Sequence, residues 1–153
     1  MTPAAAEPRY LEPTLAAGRA FAARPARGVV MLNLLRFRPM ADYADVPLLA
    51  PDVPITGAQA YERYIAHTLP YLHASGGEVL FRGAGDTFLI GPDTERWDEA
   101  LLVRQASSEA FLAFAQDAAY LAGLGHRRAA LEDSRLLPLL EQPISPVRAA
   151  RGG

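Results

Sequence analysis

The stretch that decides the fold is Val29-Val30-Met31-Leu32-Asn33-Leu34-Leu35-Arg36-Phe37. Its branched and aliphatic residues predict a β-strand, in which successive side chains point to opposite faces of a sheet. Apolar residues fall on both faces, with Val30, Leu32 and Leu34 on one and Val29, Met31 and Leu35 on the other. Both faces must therefore be covered, one by helices and the other by a second surface.

Asn33 is the one uncharged polar residue within this apolar strand. An amide at such a position costs free energy unless its hydrogen bonds are formed. Two interpretations follow. Asn33 belongs either to a structural polar network or to the floor of a binding site.

The composition excludes several kinds of chemistry. The chain has 153 residues, a net charge of −2 and fifteen basic residues that are all arginine. Without lysine there is no side-chain Schiff base, and without cysteine there is no disulfide, thiolate nucleophile or thiolate metal site. The weak net charge gives no indication of nucleic-acid binding.

The length is typical of one domain, which we expect over residues 13–140. Residues 1–12 are expected to be a flexible N-terminus, and residues 141–153, rich in Pro, Arg and Gly, a disordered tail. No apolar run is long enough for a membrane span, and the N-terminus lacks the pattern of a signal peptide. We expect a cytoplasmic protein of bacterial type.

Capping residues and apolar spacing predict the remaining elements. Helices are expected to begin after Thr14, after Thr56 (which forms a capping box with Gln59) and after Ser107. Further strands are expected at 78–82, 87–90, 97–105 and 134–139, with the first two forming a hairpin across Gly83-Ala84-Gly85-Asp86.

The order helix, then β-α-β-β-α-β, then a terminal strand indicates an α+β, ferredoxin-like antiparallel sheet with its helices on one face. The second apolar face of that sheet is left without a cover, which predicts a homodimer. The residues expected on this dimer face are Val29, Met31 and Leu35 on one strand, with Leu101 and Val103 or their alternates on another.

The segment Arg38–Ile55 is a long connection that contains four prolines. Loops of this length in compact domains are usually functional or mobile. Its apolar residues, including Leu48 and Val53, predict contact with the body of the protein or with a partner subunit. We expect it to cover the entrance of a cavity as a lid or wall.

With these elements placed, the chain resembles the bacterial family called domain of unknown function 1330, over roughly residues 13 to 139. The resemblance is carried by 31–38, Ala60-Tyr61 with Tyr64, Pro70 with 75–77, 90–92 with Trp97-Asp98, 109–111, Tyr120, His126-Arg127 and 132–136.

This resemblance implies a dimeric α+β barrel, in which the sheet of each subunit packs against its mate, and it implies no particular substrate. Relatives in the superfamily include cofactor-free monooxygenases, lactone isomerases and haem enzymes. Transfer of any one of these activities would be an analogy of fold alone.

His126 is the candidate catalytic acid or base, because imidazole titrates near neutral pH and Asp133 is close in sequence. Asn33 is the candidate group that orients a carbonyl or oxyanion. Arg82 and Arg104 lie in predicted strands and can bind a carboxylate or enolate. Each also has a structural explanation, as a hydrogen-bonded or surface residue.

Tyr64, Trp97 and Tyr120 are further candidates for ligand contact, although Tyr64 and Trp97 are more typical of packing residues. His67 and His73 lie six residues apart, which on a helix does not form a metal pair, so no metal site is expected.

Three functions remain open at this level. The first is a cofactor-free enzyme, an isomerase or monooxygenase, that acts on a small apolar or aromatic carbonyl compound. The second is a non-catalytic, small-molecule-binding or stress-related dimer. The third is haem binding, for which His126 is the candidate axial ligand.

Overall fold

The computed structural model describes residues 8–24 and 28–144. Its centre is one antiparallel sheet of four strands in the order β2-β3-β1-β4. The strands are β1 (Val29–Phe37), β2 (Glu78–Ala84), β3 (Glu99–Gln105) and β4 (Leu131–Leu139). The two central strands are β1 and β3, and the β-α-β-β-α-β order confirms the ferredoxin-like α+β fold.

In the described residues, five α-helices accompany the sheet: α1 (Leu15–Ala22), α2 (Gly57–Ala74), α3 (Ser108–Ala115), α4 (Ala118–Leu121) and α5 (Leu124–Ala130). The expected N-terminal caps are present, because the side chains of Thr14, Thr56 and Ser107 each accept a backbone hydrogen bond. Thr56 and Gln59 form the complete capping box.

The predicted hairpin between residues 78–82 and 87–90 is wrong. β2 continues through Gly83 to Ala84 and pairs with β3, which is reached by the connection 85–98. Within that connection only Thr87 forms an isolated bridge, with Arg96, and Leu89 is 100% exposed. β2 takes β3 as its one partner and forms an edge of the sheet, and the short segment before Gly91-Pro92 lies outside the sheet.

The terminal strand is the last β of the β-α-β-β-α-β order, and the described residues up to 144 contain no further strand after it. It begins at Leu131, earlier than expected, and continues past Pro138 to Leu139. Proline is tolerated there because β4 pairs only with β1 and forms one edge of the sheet.

The residues expected on the dimer face lie instead beneath the helices. Val29, Met31 and Leu35 are buried in the core, together with Leu101, and Val103 packs against the same clusters. The residues that alternate with them along each strand point to the outer face of the sheet. The register places one apolar row across all four strands of that face, made of Phe81, Leu102, Leu32 and Leu137.

The segment before α1 is attached to the sheet from residue 9 onward. Arg9 donates to the carbonyls of Leu131 and Glu132, and the Tyr10 amide donates to Asp133. Most of the expected flexible N-terminus, residues 1–7, and most of the expected disordered tail, residues 145–153, lie outside the described residues.

The Arg38–Ile55 loop packs over α5 and contains a short 3-10 helix, Pro47–Leu49. The Asp42 amide donates to the carbonyl of Ala129, and the side chains of Val46 and Leu49 press so closely on Gly125 that a Cβ there would clash. The loop is therefore held to one flank of the body.

Candidate functional site

A cavity of about 920 Å³ lies between the helical face of the sheet and the surrounding helices. Its floor follows two rows of paired strand residues, Arg82-Leu101-Asn33-Leu136 and Val79-Val103-Met31-Pro138. Helices α1, α2 and α3 and the segment 10–14 form the walls, which are mainly aliphatic and aromatic. A mostly apolar cleft with a few converging polar groups is typical of a small-molecule site.

Asn33 stands on this floor. Its side chain is half-buried between Leu101 and Leu136 of the neighbouring strands. The amide nitrogen Nδ2 donates to the carbonyl of Met31 at 3.2 Å, which uses one of its two N–H groups. The side chain thus has a structural hydrogen bond and a position from which it can contact a ligand.

Tyrosines form one wall of the cavity. The hydroxyl groups of Tyr64 and Tyr120 lie 2.7 Å apart, and the rings of Tyr61 and Tyr64 are 5.3 Å apart. Burial raises the pKa of both Tyr61 and Tyr120, so their phenols stay protonated at neutral pH. They can donate hydrogen bonds to a ligand, and they are poor bases.

The two strand arginines differ in position. Arg82 lines the cavity but is bound on both sides by Glu62 and Glu99. Arg104 lies on the outer face of the sheet, opposite Val30, and pairs with Glu78 at 3.0 Å. Arg104 is therefore remote from the cavity, and the charge of Arg82 is already neutralised.

His126 does not line the cavity, so the expected convergence of His126 with Asn33 is wrong. Its Nδ1 atom lies 2.8 Å from the hydroxyl of Tyr43, which belongs to the Arg38–Ile55 loop. Burial lowers the pKa of His126, and the charges of Arg63 and His67 lower it further. The described part of the loop also contributes no lining residue, so the expected lid over this cavity is wrong as well.

Trp97 is buried outside the cavity, between two arginines. The guanidinium of Arg36 lies 4.7 Å from the centre of its ring system and that of Arg135 lies 5.0 Å away. Arg135 also stacks on Tyr10, at 4.6 Å. These cation–π contacts join β1 and β4 to the 85–98 connection, so Trp97 has a structural position.

Arg127 is a cavity residue that the sequence interpretation passed over. It extends from α5, half-buried, and donates to the Leu11 carbonyl at 2.6 Å and to Ser134 Oγ at 3.3 Å. Helical spacing puts it on the same face as Leu124, which also lines the cavity. The three-residue spacing between Leu124 and Arg127 is the sequence signal that could have identified Arg127 as a cavity residue.

Within residues 8–24 and 28–144, no three His, Asp or Glu side chains are grouped as metal ligands would be. His67, one of the two histidines considered for such a site, binds the carbonyl of Ala119 through Nε2 at 2.8 Å. In the same described ranges, no helix combines the length and the apolar character needed to cross a bilayer.

The site and the sheet together define an α+β protein of the ferredoxin-like class, with a ligand-sized apolar cavity between sheet and helices. Residues 50–138 match the family described as Domain of unknown function (DUF1330), and the chain belongs to that family. A comparison with curated proteins finds no match.

Two solved structures are similar to this chain over nearly its whole length. One is the crystal structure of methylated RPA0582 protein, with 35% identity, a TM-score of 0.78 and coverage of 92% of this chain and 98% of that one. The other is the RPA0582 protein of unknown function from Rhodopseudomonas palustris, a structural genomics target. It has 35% identity, a TM-score of 0.78 and coverage of 91% and 100%.

Proposed function

We propose that this protein is a homodimer that binds a small, largely apolar or aromatic carbonyl compound in the cavity above Asn33. The cavity itself is the observation that carries the proposal. Its volume of about 920 Å³ falls within the range of ligand sites, and its mainly apolar lining also holds amide, hydroxyl and guanidinium groups and the carboxylate of Glu12.

Binding is better supported than proton-transfer catalysis. The candidate base, His126, is engaged by Tyr43 outside the cavity. The cavity phenols of Tyr61 and Tyr120 have raised pKa values, which favours hydrogen-bond donation over proton abstraction. The free N–H of Asn33 is placed to donate to a ligand carbonyl.

The outer face of the sheet supports the homodimer. Phe81 and Leu137 are 58% and 53% exposed, and Leu32 and Leu102 between them are only half-buried. A contiguous apolar surface of this kind is uncommon on monomers. A two-fold axis parallel to the sheet, lying between two facing outer surfaces, would let the same row of residues meet itself in a second copy.

A cavity-filling variant tests the binding proposal. Gly18 of α1 lines the cavity, and a Cβ placed there meets no atom within 4 Å. Gly18→Trp should therefore fold and occupy the cavity. We expect it to reduce the affinity for 2-naphthylacetate, measured by calorimetry, by at least roughly tenfold, the loss of about 1.4 kcal/mol.

Ala16→Trp is the matched control, because Ala16 is an exposed residue of the same helix that does not line the cavity. Its affinity should equal that of the wild type. Equal affinities of all three proteins would contradict binding in this cavity.

A further inference from the structure

Given the proposed binding function, on which this inference rests, we infer that the ligand carries a carboxylate group and that Arg127 binds it. The ligand class is then an apolar or aromatic carboxylic acid. Arg127 would be the anchoring residue of the site, and its guanidinium would set the orientation of the ligand within the cavity.

The guanidinium of Arg127 has hydrogen-bonding capacity to spare. Its Nη1 donates to the Leu11 carbonyl and its Nη2 to the Ser134 hydroxyl, so two of five N–H groups are used. Both partners are neutral. Ser134 in turn donates to the Tyr10 carbonyl, which holds this wall of the cavity in place.

The charge of Arg127 has no counterpart in the described structure. Other arginines of the cavity are paired with carboxylates: Arg82 with Glu62 and Glu99, Arg128 with Glu12, and Arg135 with Asp133. Within residues 8–24 and 28–144, Arg127 forms no ion pair. A half-buried cation beside apolar walls is stabilised by an anion that completes its hydrogen bonds.

Arg24, the remaining arginine of the cavity, is a weaker candidate. It is exposed at the end of α1, where its guanidinium lies 5.9 Å from the centre of the Phe21 ring. Solvent already stabilises a charge in that position, so it gains less from an anionic ligand.

Arg127 and the tyrosine wall line the same cavity. Burial raises the pKa of both Tyr61 and Tyr120, and the positive charge of Arg127 partly opposes this rise in each. The guanidinium is thus close enough to act on two phenols that line the same cavity. A carboxylate on Arg127 would bring the apolar part of its ligand against these rings.

A purely structural role for Arg127, as the anchor of the segment that contains Leu11, is the competing explanation. The two roles differ in what they predict for charged and uncharged ligands. Removal of an anchor changes the affinity for every ligand alike. Removal of a carboxylate-binding residue changes the affinity for the ionised ligand only.

The experiment compares 2-naphthylacetate with its methyl ester, by calorimetry at pH 7.5. The wild type should bind the acid more tightly, by roughly tenfold to a hundredfold, the ratio expected for a charge-assisted hydrogen bond. Arg127→Met should remove this preference and leave the affinity for the ester unchanged. Arg127→Lys, which keeps the charge but not the planar fork, should retain part of the preference.

Arg19→Met is the matched control, because Arg19 is an exposed arginine of α1 that does not line the cavity. It should keep the full preference for the acid. Thermal unfolding of each variant identifies any loss of folding, and the Arg127→Lys variant answers the question if Arg127→Met does not fold.

The outcomes separate the two proposals. Equal affinity of the wild type for acid and ester would overturn the inference about Arg127 and leave the binding function in place. An equal weakening of both ligands by Arg127→Met would assign it a structural role and overturn the inference too. Failure of both probes to bind would overturn the proposed function itself.

Discussion

The hydroxyl of Tyr43 lies 2.8 Å from Nδ1 of His126, and the two rings meet edge to face with their centroids 5.6 Å apart. Tyr43 is a buried residue of the Arg38–Ile55 loop, and His126 is on α5. This contact fastens the loop to the helix and directs the imidazole away from the cavity. The pair is therefore part of the scaffold that holds the site.

Removal of that hydroxyl should weaken the scaffold. We expect Tyr43→Phe to lower the free energy of unfolding by about 1 kcal/mol, the net contribution of one hydrogen bond. Urea denaturation measures the change. Tyr71→Phe is the control, since it takes the same hydroxyl from a half-buried ring that packs against His67, and it should cost less. An equal loss in both variants would contradict a specific role for the Tyr43–His126 contact.

Stability should depend on pH through His126. Burial, aided by Arg63 and His67, lowers its pKa from the ordinary 6.5, so the unfolded chain binds a proton more readily than the folded one. The free energy of unfolding is then greatest above pH 6.5 and falls as the pH decreases through that value. Denaturation between pH 7.5 and 5.5 should show this slope.

His126→Gln should reduce the slope, and the exposed His73→Gln should leave it as it is in the wild type. A slope that persists in full in His126→Gln would assign the pH dependence to another group.

The oligomeric state should respond to charge on the outer face of the sheet. The double variant Phe81→Glu/Leu137→Glu alters side chains that are 58% and 53% exposed, so each subunit should still fold. Each side chain contributes up to about 1.5–3 kcal/mol when fully buried, and a buried unpaired carboxylate adds a further cost. Light scattering should show a monomer for this variant and a dimer for the wild type.

Leu48→Glu is the control for that experiment, because Leu48 is 99% exposed and lies outside the sheet. It should remain dimeric. Met31→Asp, by contrast, places a charge in the core and should unfold the chain without yielding a folded monomer. A wild type that is monomeric at micromolar concentration would exclude the proposed dimer.

Asp133 should matter for resistance to acid. Burial opposes its ionisation, but hydrogen bonds from the Tyr10 amide, the Arg135 guanidinium and the Ser134 amide lower its pKa below the ordinary 3.8. Its stabilising effect is present above pH 3.8 and is lost as the pH falls through the lowered value. We expect Asp133→Asn to cost about 2 kcal/mol at pH 7 and much less near pH 2.

Guanidinium denaturation at the two pH values measures this difference. Glu132→Gln, at the exposed neighbouring position, should change stability little at either pH. A cost for Asp133→Asn that does not vary with pH would show that the charge of Asp133 is not responsible.

Much of the fold could be predicted because its signals are local. Each N-terminal cap is a hydrogen bond between a side chain and the backbone amide three residues later, so it depends only on nearby sequence. The capping residues are Thr14, Thr56 and Ser107. The hairpin error at 87–90 has the opposite origin. Residues 87–90 and residues 99–105 compete to pair with β2, and β3 is the partner that β2 takes. The local sequence of either segment does not indicate which of them pairs.

The candidate site was predicted only in part. Asn33, Tyr64, Tyr120 and Arg82 do line one cavity. His126 and Arg127 are adjacent in sequence but about 100° apart around a helix, so only one of them can face the sheet. The packing of α5 directs Arg127 to the cavity and His126 to the loop.

The alternation within Val29–Phe37 was enough by itself to determine a sheet that is apolar on both faces, because side-chain direction in a strand depends only on position along the chain. Which face the helices cover was decided by tertiary structure, since Val30 and Met31 are equally apolar and only the long-range register distinguishes them. The unpaired charge of Arg127 is likewise a tertiary property. It arises because Leu11 and Ser134, more than 120 residues apart, meet at one guanidinium and both offer neutral oxygens.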